Sequence, residues 1–157
     1  MSKPIELKVS KIENGTVIDH IEPGYALHVL KVLGITGKEG HVVAVVMNVR
    51  SSKMGRKDIV KVEGLELSKE QVDLIALISP RVTINIIRDY RVAKKFKVKP
   101  PERIDNLLKC VNPNCITNQP NEPIQSSFKM VSIKPLIYVC EYCGAKLTLA
   151  DILTQIR

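Results

Sequence analysis

All four cysteines of this 157-residue chain fall in its last third, and they form two short pairs. Cys110 and Cys115 enclose Val-Asn-Pro-Asn, and Cys140 and Cys143 enclose Glu-Tyr. Each spacing lets two thiolates converge on one cation, and two such knuckles complete a tetrahedral shell. Gly144 follows the second pair, where a knuckle turn commonly needs positive φ. No cysteine is left over, and no histidine lies beyond His41 to act as a ligand. The spacing therefore predicts one closed, all-sulfur site suited to a single structural zinc ion. A catalytic zinc would keep a position open for water.

This prediction matters because a segment as small as 101–157 buries little apolar area by itself, and a metal explains how it folds. Aromatic residues make up only 4% of the chain and tryptophan is absent, so the cores are expected to be aliphatic. The same poverty of rings argues against base stacking on single-stranded nucleic acid. The net charge of +8 is unevenly placed. Residues 1–100 hold 18 Lys and Arg against 11 Asp and Glu, whereas 101–157 hold 6 against 5. An anionic partner should therefore bind upstream of the metal segment.

Periodicity divides the upstream part. Ile5, Leu7 and Val9 alternate with polar residues and predict a half-buried strand, followed by a second extended piece over Thr16–Ile21. Pro23-Gly24 opens a helix through about Leu33, with Ala26, Leu27, Leu30 and Leu33 on its apolar face. The nearly continuous apolar run His41–Val49 predicts a strand shielded on both faces or placed at a subunit contact, which suggests a homodimer. Residues 51–58 read as a polar loop leading to a strand over Ile59–Val62. Ser68-Lys-Glu-Gln71 is a capping box for a helix through about Ile78, with Val72, Ile75, Ala76 and Ile78 inward. Val82–Arg88 and Tyr90–Val98 read as closing strands.

The expected class is α+β: a ferredoxin-like βαββαβ domain with an added strand over residues 1–100, then a small, mostly β zinc domain over 101–157. Pro100-Pro101 is the expected linker. In the second domain Met130–Ile133 and Leu136–Val139 are expected strands, and Ala150–Ile156 a short helix. Met1-Ser-Lys-Pro leads straight into alternating residues without an apolar signal segment, so a cytoplasmic location is expected, with no membrane partner.

Outside the cysteines, two constellations carry chemistry. Asp19-His20 at a strand end can accept from and donate to a small polar ligand, although such a pair is commonly a solvated turn. Cations gather at Arg50, Lys53, Arg56, Lys57 and Lys61 and again at Arg88, Arg91, Lys94, Lys95, Lys97 and Lys99. Most such residues cover exposed faces or protect strand edges. Lys61 and Lys95, however, fall on strands that flank the Asp19 end, where a triphosphate would meet both. No nucleophile with a positioned base is visible, so a triad is not supported, and without a glycine-rich phosphate loop any phosphate contacts would have to come from side chains. The alternative is a zinc-ribbon nucleic-acid-binding protein, favoured by the basic charge and opposed by the nearly neutral metal segment.

Gly15-Thr-Val-Ile-Asp-His-Ile21, Met54-Gly-Arg-Lys-Asp58, Pro101-Glu-Arg-Ile-Asp-Asn106 and the two cysteine pairs together resemble the regulatory chain of aspartate carbamoyltransferase, in order and across the whole chain. The resemblance implies a non-catalytic allosteric subunit that forms a homodimer, docks its zinc domain on the catalytic chain and acts in pyrimidine biosynthesis. It implies binding of nucleoside triphosphates, with CTP inhibiting, ATP activating and UTP a further candidate, and no nucleic-acid partner. Carried over by matching position, Asp19 and His20 would contact base and sugar, Lys61 would lie near base and ribose, and Lys95 would hold phosphate. Val9, Ser10, Lys11 and Ile12 would offer backbone groups to the base edge. Val17, Ile59, Asn85, Ile87, Tyr90 and Val92 would line the pocket.

Overall fold

The computed structural model describes residues 12–156, so the strand expected over Ile5–Val9 lies outside the described residues. The chain divides into two compact units, with the boundary between Val98 and Lys99. In the first, strands β1 (Gly15–Ile21), β2 (Val43–Ser51), β3 (Gly55–Glu63), β4 (Thr83–Arg88) and β5 (Arg91–Lys97) form one antiparallel sheet. Its spatial order is β2-β3-β1-β4-β5. Helix α1 (Ala26–Val32) joins β1 to β2, and helix α2 (Lys69–Ile78) joins β3 to β4. This is the expected split βαββαβ arrangement, with β5 as the added strand on the outer edge.

Alternation along each strand separates two faces. Ile18, Val60, Val62 and Ile84 meet Ala26 and Val29 of α1 and Ile75 and Ala76 of α2 in an aliphatic core. The opposite face, bearing Val17, Lys61 and Asn85, carries no helix among the described residues, and these three side chains are half-buried. Gly15 is required where β1 enters the sheet: its φ is +154°, and a Cβ there would collide with the Val62 carbonyl.

Helix α2 follows its sequence signature. The Ser68 side chain accepts from the Gln71 N–H, and the Gln71 side chain accepts from the Ser68 N–H. Helix α1 departs from expectation. It is shorter, and Leu27 is 57% exposed while Val29 is fully buried, so the buried stripe is Ala26, Val29 and Leu33. Its N-terminal N–H groups meet no side chain at Tyr25; Gly24 and Ala26 donate instead to the Asp58 carboxylate on β3. A cap contributed from another strand leaves no local signal, which is why the sequence misplaces the start.

The region expected as a loop over 51–58 is mostly ladder, because Ser51 pairs with Gly55 and only residues 52–54 turn. Among the described residues the apolar run at β2 is not shielded on both faces; it is the sheet edge, with Val42, Val45 and Met47 exposed. The other edge, β5, is exposed along most of its length and rich in Lys and Arg, which blunts edge-to-edge pairing.

In the second unit β6 (Arg103–Asp105), β7 (Ser127–Ile133), β8 (Leu136–Cys140) and β9 (Lys146–Thr148) form an antiparallel sheet in chain order. Phe128, Tyr138, Leu147 and Ile152 are fully buried in it. β6 and β9 were not expected, being three residues each and too short to show periodicity. Helix α3 (Leu149–Gln155) starts one residue earlier than the sequence suggests, behind a Thr148–Asp151 capping box. Among the described residues no helix is long and apolar enough to cross a membrane.

Candidate functional site

Two constellations stand out, one in each unit. In the second, the Sγ atoms of Cys110, Cys115, Cys140 and Cys143 all lie within 4.8 Å of one another. The Cys110–Cys143 separation is 3.5 Å and the Cys115–Cys140 separation 3.7 Å. A tetrahedral zinc–thiolate centre with bonds near 2.3 Å has sulfur–sulfur edges of about 3.8 Å. The donor set therefore fits a four-coordinate, thiophilic dication, and three of the four thiols are buried.

The local backbone builds this geometry. Cys140 ends β8, and its N–H donates to the Ala145 carbonyl while the Gly144 N–H returns to the Cys140 carbonyl. Gly144, at φ +77°, closes that knuckle. In the first knuckle the Cys115 N–H donates to the Asn112 carbonyl. Asn118 then ties the turn by donating to the carbonyls of Cys110 and Asn112 at 3.0 and 2.7 Å. The Thr117 hydroxyl lies 3.2 Å from the Cys115 sulfur.

Burial pushes the Cys110 thiol up to about 12 and raises that of Cys140 as well. The Ala145 N–H, the largest influence on Cys143, helps bring that exposed thiol down to about 7. Backbone N–H groups of Asn112, Cys143 and Tyr142 favour the thiolate at Cys110 and Cys140. Four thiolates this close repel one another, and a bound dication removes that repulsion.

The second constellation is a cavity of about 330 Å³ on the open face of the first sheet. All five strands contribute: Val17 and Asp19 from β1, Val46 from β2, Lys57, Ile59 and Lys61 from β3, Asn85 and Ile87 from β4, Val92 and Lys95 from β5. Register explains the convergence. Lys61 pairs with Val17, Val17 with Asn85, and Asn85 with Lys95, so these four form one row across the sheet. Lys61 and Lys95 thus stand three strand spacings apart, roughly 14 Å at the backbone. Aliphatic side chains form the floor, and a carboxylate, an amide and three ammonium groups ring it.

Asp19 and Lys57 form an ion pair at 3.0 Å within this ring. Asp19 follows Val17 on the same face by strand alternation and pairs with Thr83 of β4. Against β3 a β-bulge falls between Ile18, which pairs with Val60, and Ile21, which pairs with Asp58. His20, at φ 59°, occupies that bulge, and its N–H donates to Asp19 Oδ1 at 2.6 Å. A second bulge interrupts β2 between Val46 and Val49.

Of the fourteen residues predicted to bind nucleotide, Val17, Asp19, Ile59, Lys61, Asn85, Ile87, Val92 and Lys95 line this cavity. His20 does not. It faces a neighbouring depression of about 240 Å³ beside Lys53, Arg81, Thr83 and Lys97. Its pKa is lowered from 6.5 chiefly by burial, with Asp19 opposing and Lys57, Lys53 and Lys95 reinforcing. Tyr90 also lies elsewhere. Asp89 and Tyr90 form the two-residue β4–β5 turn at φ 51° and 64°, which carries Tyr90 into a shallow pocket with Glu13 and His41. Ile12 is buried, and Val9, Ser10 and Lys11 lie outside the described residues.

Sequence reasoning missed Val46 and Lys57. Lys57 sat in a segment read as loop, and Val46 in a run whose inner and outer residues only the sheet register separates.

Comparison with known proteins agrees with this division. Residues 7–99 match the family model of the aspartate carbamoyltransferase regulatory chain, allosteric domain. Residues 102–153 match that of the metal binding domain of the same chain. The aspartate carbamoyltransferase regulatory chain of Pyrobaculum neutrophilum is 58% identical over 153 residues, covering 98% of this chain and all of that one. Its counterpart in Pyrobaculum arsenaticum is 59% identical over 97% of this chain and 99% of its own length. That of Korarchaeum cryptofilum is 58% identical over 96% of each.

Proposed function

Because the chain belongs to the family of aspartate carbamoyltransferase regulatory chains, we propose that it senses nucleoside triphosphates and passes their occupancy to a catalytic chain in pyrimidine biosynthesis. It is a non-catalytic regulatory chain with an allosteric and a metal-binding domain. The finer reading rests above all on the sheet-face cavity. CTP and ATP share a triphosphate that Lys57, Lys61 and Lys95 complement, while base and ribose meet the aliphatic floor and the Asp19 and Asn85 side chains. UTP has the same charge and a similar size.

The two nucleotides share phosphate contacts but fill the floor differently. Only such a difference between conformational states lets CTP inhibit and ATP activate, with a coupling of typically about 1–3 kcal/mol. The four cysteines take one zinc ion, which when bound supplies a structural cross-link. Cys110 and Cys115 hold it from one knuckle, Cys140 and Cys143 from the other, and the folded metal domain docks on the catalytic chain. The exposed apolar edge at β2 supports a homodimer through this strand. Reduced thiolates of this kind suit the cytoplasm.

Co-purification with the catalytic chain, followed by sedimentation and calorimetric titration with CTP and ATP, tests the whole reading. The expected result is a regulatory dimer within a larger assembly, with saturable binding of both nucleotides at one competing site. An assembly that forms but takes up neither nucleotide would refute the sensor. Salt-sensitive binding of DNA or RNA in place of free nucleotide would favour a nucleic-acid-binding protein instead.

A further inference from the structure

The motif Met54-Gly-Arg-Lys-Asp58 contributes Lys57 to the cavity, but Asp58 turns the other way and is fully buried. It is the one charged side chain buried to that degree among the described residues, and no cation there pairs with it. Three backbone N–H groups satisfy its carboxylate instead. Asn48 donates to Oδ1 at 2.8 Å, and Gly24 and Ala26 donate to Oδ2 at 3.0 and 3.2 Å.

Those donors come from opposite sides of β3. Asn48, at φ 60°, lies in the β2 bulge that follows Val46. Gly24 and Ala26 lie where the chain leaves the β1 bulge and enters α1. A buried carboxylate is tolerated only when hydrogen bonds replace its lost hydration. A serine or aspartate at position 25 would cap α1 locally, yet Tyr25 stands there. Placing the cap on β3 ties the helix entry and both bulges to the strand that carries Lys57 and Ile59.

We infer that Asp58 is the positioning residue of the effector cavity, a buried anionic staple that ties to β3 the segment following the β1 bulge on one side and the β2 bulge that follows Val46 on the other. The inference rests on the nucleotide reading above. A triphosphate that draws Lys57 away from Asp19 moves the backbone next to Asp58. The displacement then reaches Gly24, Ala26 and Asn48, none of which lines the cavity.

The test uses the full-length chain in its complex with the catalytic chain. Asp58→Asn removes the charge and places an NH2 group against N–H donors. The expected loss is about tenfold in affinity for CTP and ATP, the equivalent of one charge-assisted hydrogen bond. Ile75→Val, a core control remote from the cavity, is brought by mild urea to the same fraction of its unfolding midpoint and should keep wild-type affinity. Equal losses in both variants, or none in Asp58→Asn, overturn the inference.

Amide NMR of the wild-type chain gives a reading that does not depend on the variant folding. The Gly24, Ala26 and Asn48 signals should shift and saturate together with those of Val17 and Lys61 as CTP is added. Three fixed signals beside two moving ones also overturn it. A wild-type chain that binds neither nucleotide removes the nucleotide reading and this inference together. A wild-type chain that binds while Asp58→Asn is unaffected removes the inference alone.

Discussion

The four-sulfur centre and the sheet-face cavity collect charge in opposite ways. The centre draws like-charged thiolates from two knuckles, each spanning six residues or fewer, into a shell with sulfurs within 4.8 Å. The cavity draws ten side chains from all five strands onto an open surface. One needs a cation to hold its donors together; the other has ammonium groups already in place and only one carboxylate among its lining residues to offset them. A metal site of the first kind is part of the fold of its unit. A cavity of the second kind sits on a core that packs without it, so its occupant is free to come and go.

Removing the metal should break this contrast most sharply. Chelation, or Cys140→Ser, is expected to withdraw folding free energy on the order of 10 kcal/mol from the second unit. Limited proteolysis should then cut throughout 99–156 while 12–98 resists, and association with the catalytic chain should be lost. Equal protection of both units in the metal-free chain would show that the centre is dispensable for folding.

Lys95→Ala probes the other side of the comparison. The loss of one charge-assisted contact should weaken CTP and ATP alike by about 1.5–3 kcal/mol, roughly tenfold to a hundredfold, with unchanged thermal stability. Calorimetry gives the first quantity and a melting curve the second. A large drop in stability would mean that the cavity residues also carry the fold.

The smallest effect belongs to His20. Its pKa lies below 6.5 in the folded chain, mainly through burial, so the unfolded chain binds a proton more readily. Stability is therefore lost as pH falls through about 6.5 toward the lowered folded value, and it does not return below that value. Urea midpoints compared between about pH 7.5 and pH 5.5 should fall more for wild type than for His20→Gln. Identical slopes would leave His20 without a role in the pH response.

How much of this was legible in the sequence follows from the same contrast. The cysteine pairs and the Ser68–Gln71 capping box were readable because partners three to five residues apart meet through local backbone geometry alone. The order of the described strands and helices in the first unit, and eight of the cavity residues, were also anticipated. The start of α1 was misread because its cap, Asp58, lies on β3, 34 residues from Gly24, and leaves no local trace. His20 and Tyr90 were placed in the cavity, but a bulge and a left-handed turn re-aim them elsewhere.

The linear order of residues alone determined the sulfur donor set, the alternation that separates a core face from an open face, and the placement of excess positive charge upstream. Each depends on spacing or composition, which folding does not alter. Folding decided which open-face side chains meet, that Val46 and Lys57 join them, and that Asp58 is buried between two bulges. Cross-strand register sets those neighbours, and shifting a strand by one residue turns every side chain on it to the opposite face.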